Sequence, residues 1–264
     1  MKLSIISINR NNASGLRKTI ESVVSQTYTD FEYIIIDGAS TDGSIGVINE
    51  FATPLNLPQR EKKEHPIINW ISELDSGIYN AMNKGILKAS GEYLLFLNSG
   101  DYLYNSEVLK NVFELDFDED IVYGEQLVEN DGQISKVQFL LPEHISFRSF
   151  MTSTLPHQCT FIKRSLFLSI GLYNENNKIV SDWEFNVLAL FKFNCLLRKI
   201  NIAVSVYDTN GISSSLEYME IHNNEKRNVL YQHFTRFMLD YDAQDKSEKS
   251  KAFQLVKVIK KIFK

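Results

Sequence analysis

The sequence has no apolar run of roughly 18 residues, the length that a membrane-spanning helix needs. Its amino terminus also lacks the apolar core and small-residue cleavage site of a secretory signal peptide, so we expect the protein in the cytosol. Cys159 and Cys195 have no metal-site spacing, and we expect both to be ordinary buried thiols. With 44% hydrophobic and 23% charged residues, the composition is that of a soluble globular protein.

Both glycine-rich phosphate-binding motifs are also absent. The loop at 9–15 reads NRNNASG, which is not GxGxxG, and the chain has no GxxxxGK[ST]. If phosphates bind, a metal ion on a carboxylate would have to neutralise them. The net charge of −5 argues against general nucleic-acid binding. Residues 246–264 carry seven lysines and one acid, so this tail is +6 and the rest of the chain is −11.

The first hundred residues alternate between short apolar runs and helical patterns. Such alternation predicts an α/β fold with a parallel sheet and right-handed crossovers, and it is typical of a nucleotide-binding half. The predicted strands are 3–8, 31–36, 67–71 and 93–97, and the predicted helices are 16–26, one ending at 51, and 76–89, with a loop over 54–66.

The second half is less regular, and we expect its strands to extend the same sheet. A hairpin turn at 130–132 joins two predicted strands. The predicted strands are 121–128, 135–141, 158–162 and 200–207, and the predicted helices are 164–170 and 182–192. We therefore divide the chain into an α/β domain over 1–210, with halves 1–101 and 102–210, and a helical extension over 211–264.

Polar residues follow the predicted strands of the first half: Asn9, Asp37, Asp75 with Glu73, and Asp101. The carboxyl ends of parallel strands meet at one edge of the sheet, where ligands bind in open α/β folds. We therefore expect these side chains to line one crevice. The alternative for Asp37 is turn chemistry.

The segment 91–101, GEYLLFLNSGD, is the clearest case of an apolar strand followed by a polar residue. Its apolar run predicts a strand buried on both faces, and it ends in small and polar residues that deliver Asp101 to the crevice. A carboxylate there could hold a metal ion against a phosphate. The alternative is that Asp101 caps a helix over 106–115 or fills a turn.

Four segments together resemble family 2 glycosyltransferases of the GT-A fold. They are 3–12, IIIDGASTDGS at 34–44, the stretch 71–101 containing ELDSGIYNAMNKGI and FLNSGD, and SDWEF at 181–185. The resemblance covers about residues 1–210 and is strongest to the branch that builds bacterial surface polysaccharides. It implies a mixed sheet flanked by helices, an inverting reaction, a nucleotide-diphosphate sugar as donor (we expect a UDP-sugar), and Mn²⁺ or Mg²⁺ on the diphosphate.

The resemblance also assigns roles to residues on the donor side. Asp101 matches the last acid of the family's Asp-x-Asp-Asp pattern and would bind the metal, whereas Asn98 and Gly100 stand where two other acids are usual. Metal binding would then depend on one carboxylate, completed by diphosphate and water. The residues expected to contact the nucleotide or donor are Asn9, Asp37, Asp75, Asn83, Lys84, Asn98, Ser99 and Gly100.

On the acceptor side, the resemblance makes Asp182 the general base that takes the proton of the attacking hydroxyl. The alternative is a helix N-cap, with Ser181 as its rival. Glu184, two positions on, should face away from the crevice. His157 and Trp183 would lie beside the acceptor or leaving group, although a lone histidine is more often structural and a helical tryptophan more often belongs to the core.

The basic tail is the last feature. Residues 252–264 form a helical pattern with apolar and lysine-rich faces, which predicts a peripheral membrane contact and suits a lipid-linked acceptor. The alternative is a helix docked on the acidic body. An oligomer contact through the helix predicted over 217–242 stays open. Two other classes of function also stay open. One is a nucleotidyltransferase, which would need more than Arg10 in its first loop. The other is a non-enzymatic protein, either a nucleotide-sugar-binding pseudoenzyme or a membrane-assembly partner.

Overall fold

A computed structural model describes residues 1–52, 68–130, 133–137, 141–208 and 219–249. It divides the chain into two compact units, Met1–Tyr218 and Met219–Lys264. The loop predicted over 54–66 and the basic helix predicted over 252–264 lie outside the described residues.

The first half alternates strands and helices as the sequence predicts. Strands β3, β2, β1 and β4 lie side by side in this order and run parallel. Every residue of β1, β2 and β4 is buried, as expected for strands covered on both faces. The elements are β1 Leu3–Asn9, α1 Ala13–Val24, β2 Phe31–Asp37, α2 Ser44–Ala52, β3 Ile68–Ser72, α3 Ile78–Lys88 and β4 Tyr93–Phe96.

The second half continues the same sheet, which confirms the expectation of one mixed sheet. Within the described residues the sheet has nine strands. Eight of them pair in the order β3-β2-β1-β4-β8-β6-β9-β5, and β7 forms the predicted hairpin with β6. Short 3₁₀ turns lie at Pro142–His144 and His157–Cys159. The elements are β5 Tyr102–Leu103, α4 Val108–Phe113, β6 Ile121–Asn130, β7 Gln133–Lys136, α5 Phe147–Met151, β8 Thr160–Lys163, α6 Ser165–Ser169, α7 Ser181–Phe191 and β9 Leu197–Tyr207.

Strand direction decides which residues reach the crevice. β8 runs antiparallel to β4, β6 antiparallel to β8, and β9 parallel to β6. β9 therefore points the same way as β4. Consequently the end of β9 and the start of β8 lie at the edge where β1, β2 and β4 end.

Two predicted boundaries shift for local reasons. The strand predicted from 158 begins at Thr160, because the Pro156 carbonyl accepts hydrogen bonds from the Cys159 N–H at 3.2 Å and the Thr160 hydroxyl at 2.7 Å. Helix α7 has Val180 as its N-cap residue, with no side-chain capping bond. The N-cap interpretation of Asp182 and Ser181 is therefore wrong, since both are already inside the helix.

Helix α1 illustrates how the core forms. Its buried residues are Leu16, Thr19, Ile20 and Val23, spaced three and four apart. The three apolar ones are fully buried in the cluster that covers the sheet; burying each contributes about 1.5–3 kcal/mol. Thr19 is the polar exception on this face, and it contacts the turn that carries Asp101.

The second unit contains α8, Met219–Lys249, which is interrupted by a non-helical residue at Phe234. An ion pair between Arg227 and Asp242, 3.0 Å long, spans that break. Among the described helices, none is both long and apolar enough to cross a membrane.

Candidate active site

The crevice at the carboxyl edge begins with a buried carboxylate. Asp37 is fully buried at the end of β2 and accepts hydrogen bonds from Asn9 Nδ2 at 2.7 Å, the Ser72 hydroxyl at 2.7 Å, and the backbone N–H and hydroxyl of Ser40 at 2.9 and 2.6 Å. Burial alone would raise the pKa of Asp37, but these bonds outweigh it and lower the pKa. Asp37 is thus an ionised carboxylate that ties together β1, β2 and β3.

Asn9 keeps one polar atom unused. Its Nδ2 is committed to the Asp37 carboxylate, which can only accept, and this fixes the orientation of the amide. Its Oδ1 is buried and has no hydrogen-bond partner within the described chain. That oxygen is the atom through which Asn9 could accept a bond from a ligand.

Asp75 approaches the end of β2 closely. A Cβ at Gly38 would lie 2.4 Å from Asp75 Oδ2 and 3.3 Å from Arg10 Cδ, so only glycine leaves room for this carboxylate. Asp75 Oδ1 accepts a hydrogen bond from the Gly77 N–H at 3.1 Å. The structure therefore places the Asp75 carboxylate against Gly38, the residue that follows Asp37.

Asn83 and Lys84 differ from the prediction. Asn83 is 4% exposed, exchanges hydrogen bonds with the backbone of Tyr173, and donates to Glu175 Oε1 at 2.8 Å. Lys84 Nζ donates to the Leu74 carbonyl at 2.8 Å and pairs with Glu73 at 2.9 Å. In this structure the polar group of Asn83 is therefore bonded to the segment at Tyr173 and Glu175, and that of Lys84 to the segment at Glu73 and Leu74.

The turn after β4 is held from two sides. The Thr19 hydroxyl accepts from the Gly100 N–H at 3.0 Å and donates to the Asp101 carbonyl at 2.7 Å. Asn12 Nδ2 donates to the Ser99 carbonyl at 3.1 Å. Helix α1 therefore fixes the backbone that presents Asp101.

Asp101 has a second carboxylate as its neighbour. Asp101 Oδ1 accepts a hydrogen bond from the backbone N–H of Asp208 at 2.9 Å. Asp208 Oδ2 lies only 2.6 Å from the position that a Cβ of Gly100 would take. Gly100 has φ +108°, which favours glycine. Asp101 is 4% exposed, and burial raises its pKa to about 6.

Asp208 was missed by the sequence analysis, although a signal for it exists. Asp208 directly follows the predicted strand 200–207. The polar residues that follow the predicted strands of the first half are candidate site residues for the same reason. Its placement depends on β9 running in the same direction as β4. Asp101 and Asp208 are two carboxylates; no cluster of three or more His, Cys, Asp or Glu suited to a metal occurs in the described ranges.

Asp182 lies at the start of α7 and is held by two side chains. Its Oδ1 faces the Tyr79 hydroxyl at 2.9 Å, and its Oδ2 faces His157 Nδ1 at 3.3 Å. The same Tyr79 hydroxyl lies 2.6 Å from the Ile179 carbonyl. Burial would raise the pKa of Asp182, but its interactions with His157 and Tyr79 outweigh burial and lower it. An ionised carboxylate that remains 18% exposed is suited to accept a proton from a bound hydroxyl.

His157 joins this carboxylate to the turn after β4. Its Nε2 lies 3.1 Å from Asn98 Nδ2, on the opposite side of the ring from Asp182. Asn98 Oδ1 is buried and has no hydrogen-bond partner among the described residues. His157 reaches this position because β8, which it precedes, runs antiparallel to β4.

The two residues after Asp182 belong to the protein interior. Trp183 is 2% exposed, donates from Nε1 to the Phe150 carbonyl at 3.1 Å and stacks on the Phe150 ring, so in this structure its ring presents no face to a sugar. Glu184 accepts hydrogen bonds from Asn174 and Asn177. Glu184 thus points away from Asp182, as its helical position predicts.

Comparisons with known proteins identify the family. The model of the family described as Glycosyl transferase family 2 matches residues 4–169. The chain belongs to glycosyl transferase family 2. This glycosyltransferase is 31% identical over 217 residues to the PGL/p-HBAD biosynthesis glycosyltransferase of Mycobacterium bovis, covering 81% of this chain and 79% of the relative. It is 30% identical over 228 residues to a second glycosyltransferase, from Mycobacterium tuberculosis, covering 85% of this chain and 82% of the relative.

Solved structures share its fold. The glycosyltransferase matches Staphylococcus aureus TarS 1-349 in complex with UDP-GlcNAc with a TM-score of 0.64 at 18% identity, over 88% of this chain and 71% of TarS 1-349. It matches the mannosyltransferase PcManGT of Pyrobaculum calidifontis, in complex with GDP-Man and Mn²⁺, with a TM-score of 0.56 at 15% identity, over 78% and 56% of the two chains. The GT-A fold predicted from the sequence is thereby confirmed.

Proposed function

We propose that this glycosyltransferase inverts the anomeric centre while transferring one hexosyl or N-acetylhexosaminyl group from a UDP-sugar to a hydroxyl of a glycan precursor. The observation that carries the proposal is Asp182, an ionised, part-exposed carboxylate at the edge where Asp101 presents the donor side. A general base on the acceptor side, together with a metal-binding carboxylate on the donor side, suits a single displacement.

Asp182 is the general base in this proposal. As the acceptor oxygen forms its bond to the anomeric carbon, the bond from that carbon to the diphosphate oxygen breaks. The acceptor proton passes to a carboxylate oxygen of Asp182, and the nucleotide diphosphate leaves. Such proton transfer typically contributes about 10²–10⁴-fold in rate.

A divalent cation, Mn²⁺ or Mg²⁺, fits the residues at the turn after β4. These ions prefer oxygen ligands, and Mg²⁺ is often held by one or two carboxylates together with phosphate. Asp101 would bind the ion, and Asp208 supplies the second acid that Asn98 and Gly100 do not provide. When bound, the ion would neutralise the diphosphate and stabilise the charge on the leaving group.

The donor nucleoside would lie over Asp37 and Asp75. Asp75, packed closely on Gly38, would form one wall of this region. Asn9 Oδ1, which has no hydrogen-bond partner in the part of the chain that the structure describes, would offer an acceptor. The choice of UDP is supported by the shared fold with TarS 1-349 in complex with UDP-GlcNAc.

The acceptor is proposed to be lipid-linked, in the synthesis of a cell-surface glycan. Support comes from the relative named for PGL/p-HBAD biosynthesis and from the basic pattern of residues 252–264. We place the enzyme at the cytoplasmic face of the membrane, where lysines of this tail would meet anionic headgroups.

The experiment that tests the proposal combines binding and turnover. Titration calorimetry with UDP should show binding that strengthens when Mn²⁺ is added, and a panel of nucleotide sugars should reveal one from which the enzyme slowly releases UDP by hydrolysis. The absence of metal-dependent UDP binding together with no release from any UDP-sugar would overturn the proposal.

A further inference from the structure

We propose that Asn98 and His157 are positioning residues for the base. The Asn98 amide holds the His157 ring as its Nδ1–H tautomer, and this N–H donates a hydrogen bond that fixes Asp182 Oδ2. The proton of the attacking substrate hydroxyl then ends on the Asp182 carboxylate and is not passed to His157. The proposal rests on the proposed role of Asp182 as base, and it adds a function to the asparagine where the family usually has an acid.

The contacts form one chain across the crevice. Asn98 Nδ2 and His157 Nε2 are 3.1 Å apart, and His157 Nδ1 and Asp182 Oδ2 are 3.3 Å apart. On the far side of the carboxylate, the Tyr79 hydroxyl lies 2.9 Å from Asp182 Oδ1. Both ring nitrogens of His157 and both oxygens of Asp182 therefore have a protein partner.

The donors and acceptors of this chain permit one assignment for a neutral ring. The Asn98 N–H can only donate, so His157 Nε2 must be the unprotonated nitrogen. Nδ1 then carries the proton and donates to the carboxylate. In the other neutral tautomer, an unprotonated Nδ1 would face the oxygen of an anion.

This assignment determines where the transferred proton stays. Since His157 Nδ1 already carries a proton, the ring cannot take another from Asp182 at that atom. The proton from the acceptor hydroxyl therefore remains on Asp182. Each carboxylate oxygen has two lone pairs, so one protein hydrogen bond on each leaves capacity for the substrate hydroxyl.

The amide of Asn98 places a hydrogen-bond donor at His157 Nε2, and a donor there requires a bare Nε2. Among the described residues, Asp182 of α7 contacts His157 directly, and Asp101 of the β4 turn interacts with it electrostatically. The Tyr79 hydroxyl of α3 contacts Asp182. An aspartate at position 98 would add a carboxylate at Nε2. It would accept a hydrogen bond from Nε2–H, so the contact at position 98 would no longer require a bare Nε2.

The first test measures the tautomer directly. Long-range ¹H–¹⁵N correlation spectra of the full-length, ¹⁵N-labelled protein distinguish protonated from bare imidazole nitrogens, and the His157 signals are identified by their loss in His157→Asn. At neutral pH we expect a protonated Nδ1 and a bare Nε2 in the wild type, and a protonated Nε2 in Asn98→Asp. A bare Nδ1, or an imidazolium in the wild type, would overturn the proposal.

The second test separates the two sides of the ring. The side-chain nitrogen of asparagine can replace Nδ1 and donate to Asp182, whereas that of glutamine reaches the Nε2 position. We expect His157→Asn to retain most of kcat, and His157→Gln to lose about 10- to 100-fold, the value of one hydrogen bond to a charged group. Exposed His144 provides the matched control, His144→Asn, which should leave kcat unchanged.

The pH profile distinguishes positioning from mere packing. At saturating donor and Mn²⁺, the acid limb of kcat should move to higher pH in His157→Gln, because Asp182 loses a bond that stabilises its charged form. Equal kcat values and unshifted limbs in the two variants would overturn the proposal. Failure of the base assignment is separate: Asp182→Asn would then retain turnover, while the spectra would still report the His157 tautomer.

Discussion

The carboxylate of Asp208 occupies the space that a side chain at Gly100 would need, with its Oδ2 2.6 Å from the Cβ position. The two residues are 108 positions apart, and they meet because β4 and β9 point toward the same edge of the sheet. This contact gives the β4 turn a second acid beside Asp101. The metal site proposed for the enzyme therefore depends on the sheet topology as well as on the local motif.

Replacing Gly100 by alanine should weaken metal-dependent donor binding. The variant must adopt φ +108° with a Cβ and must displace Asp208, so we expect a loss of stability of about 1–3 kcal/mol. We also expect weaker UDP binding in the presence of Mn²⁺. Urea unfolding and titration calorimetry measure the two effects.

Gly171→Ala is the matched control for this change. Gly171 has φ +113°, but a Cβ there would meet no atom within 4 Å. This variant should lose similar stability and keep its affinity for UDP with Mn²⁺. If both variants bind UDP equally well, Asp208 does not contribute to the site.

The raised pKa of Asp101 predicts a pH dependence of metal binding. Because this pKa is about 6, protons compete with Mn²⁺ below that pH, and the Mn²⁺-dependent part of UDP affinity should fall as the pH drops from 7 to 5. Calorimetry at several pH values measures it. UDP affinity without metal serves as the reference, and an affinity gain from Mn²⁺ that is constant over this range would contradict the account.

The raised pKa of Asp101 has the opposite effect on the metal-free protein, whose stability should decrease as the pH rises. A carboxyl group whose pKa is raised by folding binds more protons in the folded state, so its contribution to stability falls as the pH rises from about 4 to about 6. Relative to Asp101→Asn, the wild type should therefore lose up to about 3 kcal/mol across this window. Addition of Mn²⁺ should restore stability to the wild type and not to the variant.

Tyr79→Phe should lower turnover and raise the pH at which activity is lost on the acid side. The change removes the hydroxyl that faces Asp182 Oδ1 and the Ile179 carbonyl, so the charged form of Asp182 becomes less favourable. We expect about 10-fold lower kcat and a stability loss of about 1–2 kcal/mol. The pH dependence of kcat and urea unfolding measure these effects.

Tyr173→Phe provides the comparison for that change. The Tyr173 ring lies 5.6 Å from that of Tyr79, yet the contacts described for Asp182 come from Tyr79 and His157. The acid limb should stay in place in Tyr173→Phe. An equal shift in both variants would mean that the Tyr79 hydroxyl does not act on the base.

The basic tail should bind anionic membranes. Removing residues 246–264 takes away seven lysines, each worth about 1 kcal/mol near an anionic surface. The full chain should sediment with phosphatidylglycerol vesicles and not with neutral phosphatidylcholine vesicles, and the shortened chain with neither. Equal sedimentation of both chains with the anionic vesicles would defeat the membrane contact.

The first half of the fold could be predicted because its strands are continuous apolar runs. Strands β1, β2 and β4 are buried throughout, so the sequence shows where they end: Asp37 is the last residue of β2, and Asp101 follows β4. Asp75 follows β3, which is only partly buried. Parallel strands bring their carboxyl ends to one edge of the sheet, and this rule alone predicted that Asp37, Asp75 and Asp101 would lie along that edge.

The remainder depended on contacts that a sequence pattern does not encode. Asp208 was not predicted, and it reaches this edge because β9 runs in the same direction as β4. His157 was indicated by the family resemblance, but its contacts depend on the direction of β8. Tyr79 is one of many aromatic residues on amphipathic helices, and its bond to Asp182 spans 103 positions. Asn83 and Lys84 lie on the helix predicted for them, but their side chains bond to Tyr173 and Glu73. Helical periodicity does not predict such partners.

The role of Asp182 as general base is tested most directly by Asp182→Asn. With the UDP-sugar that the panel identifies, we expect its turnover to fall by about 10²–10⁴-fold, while the dissociation constant for UDP with Mn²⁺ stays unchanged. Exposed Asp116, at φ +41° where asparagine is well tolerated, supplies the control Asp116→Asn, which should match the wild type. Turnover that persists in Asp182→Asn, or a loss of UDP binding equal to the loss of turnover, would contradict the account.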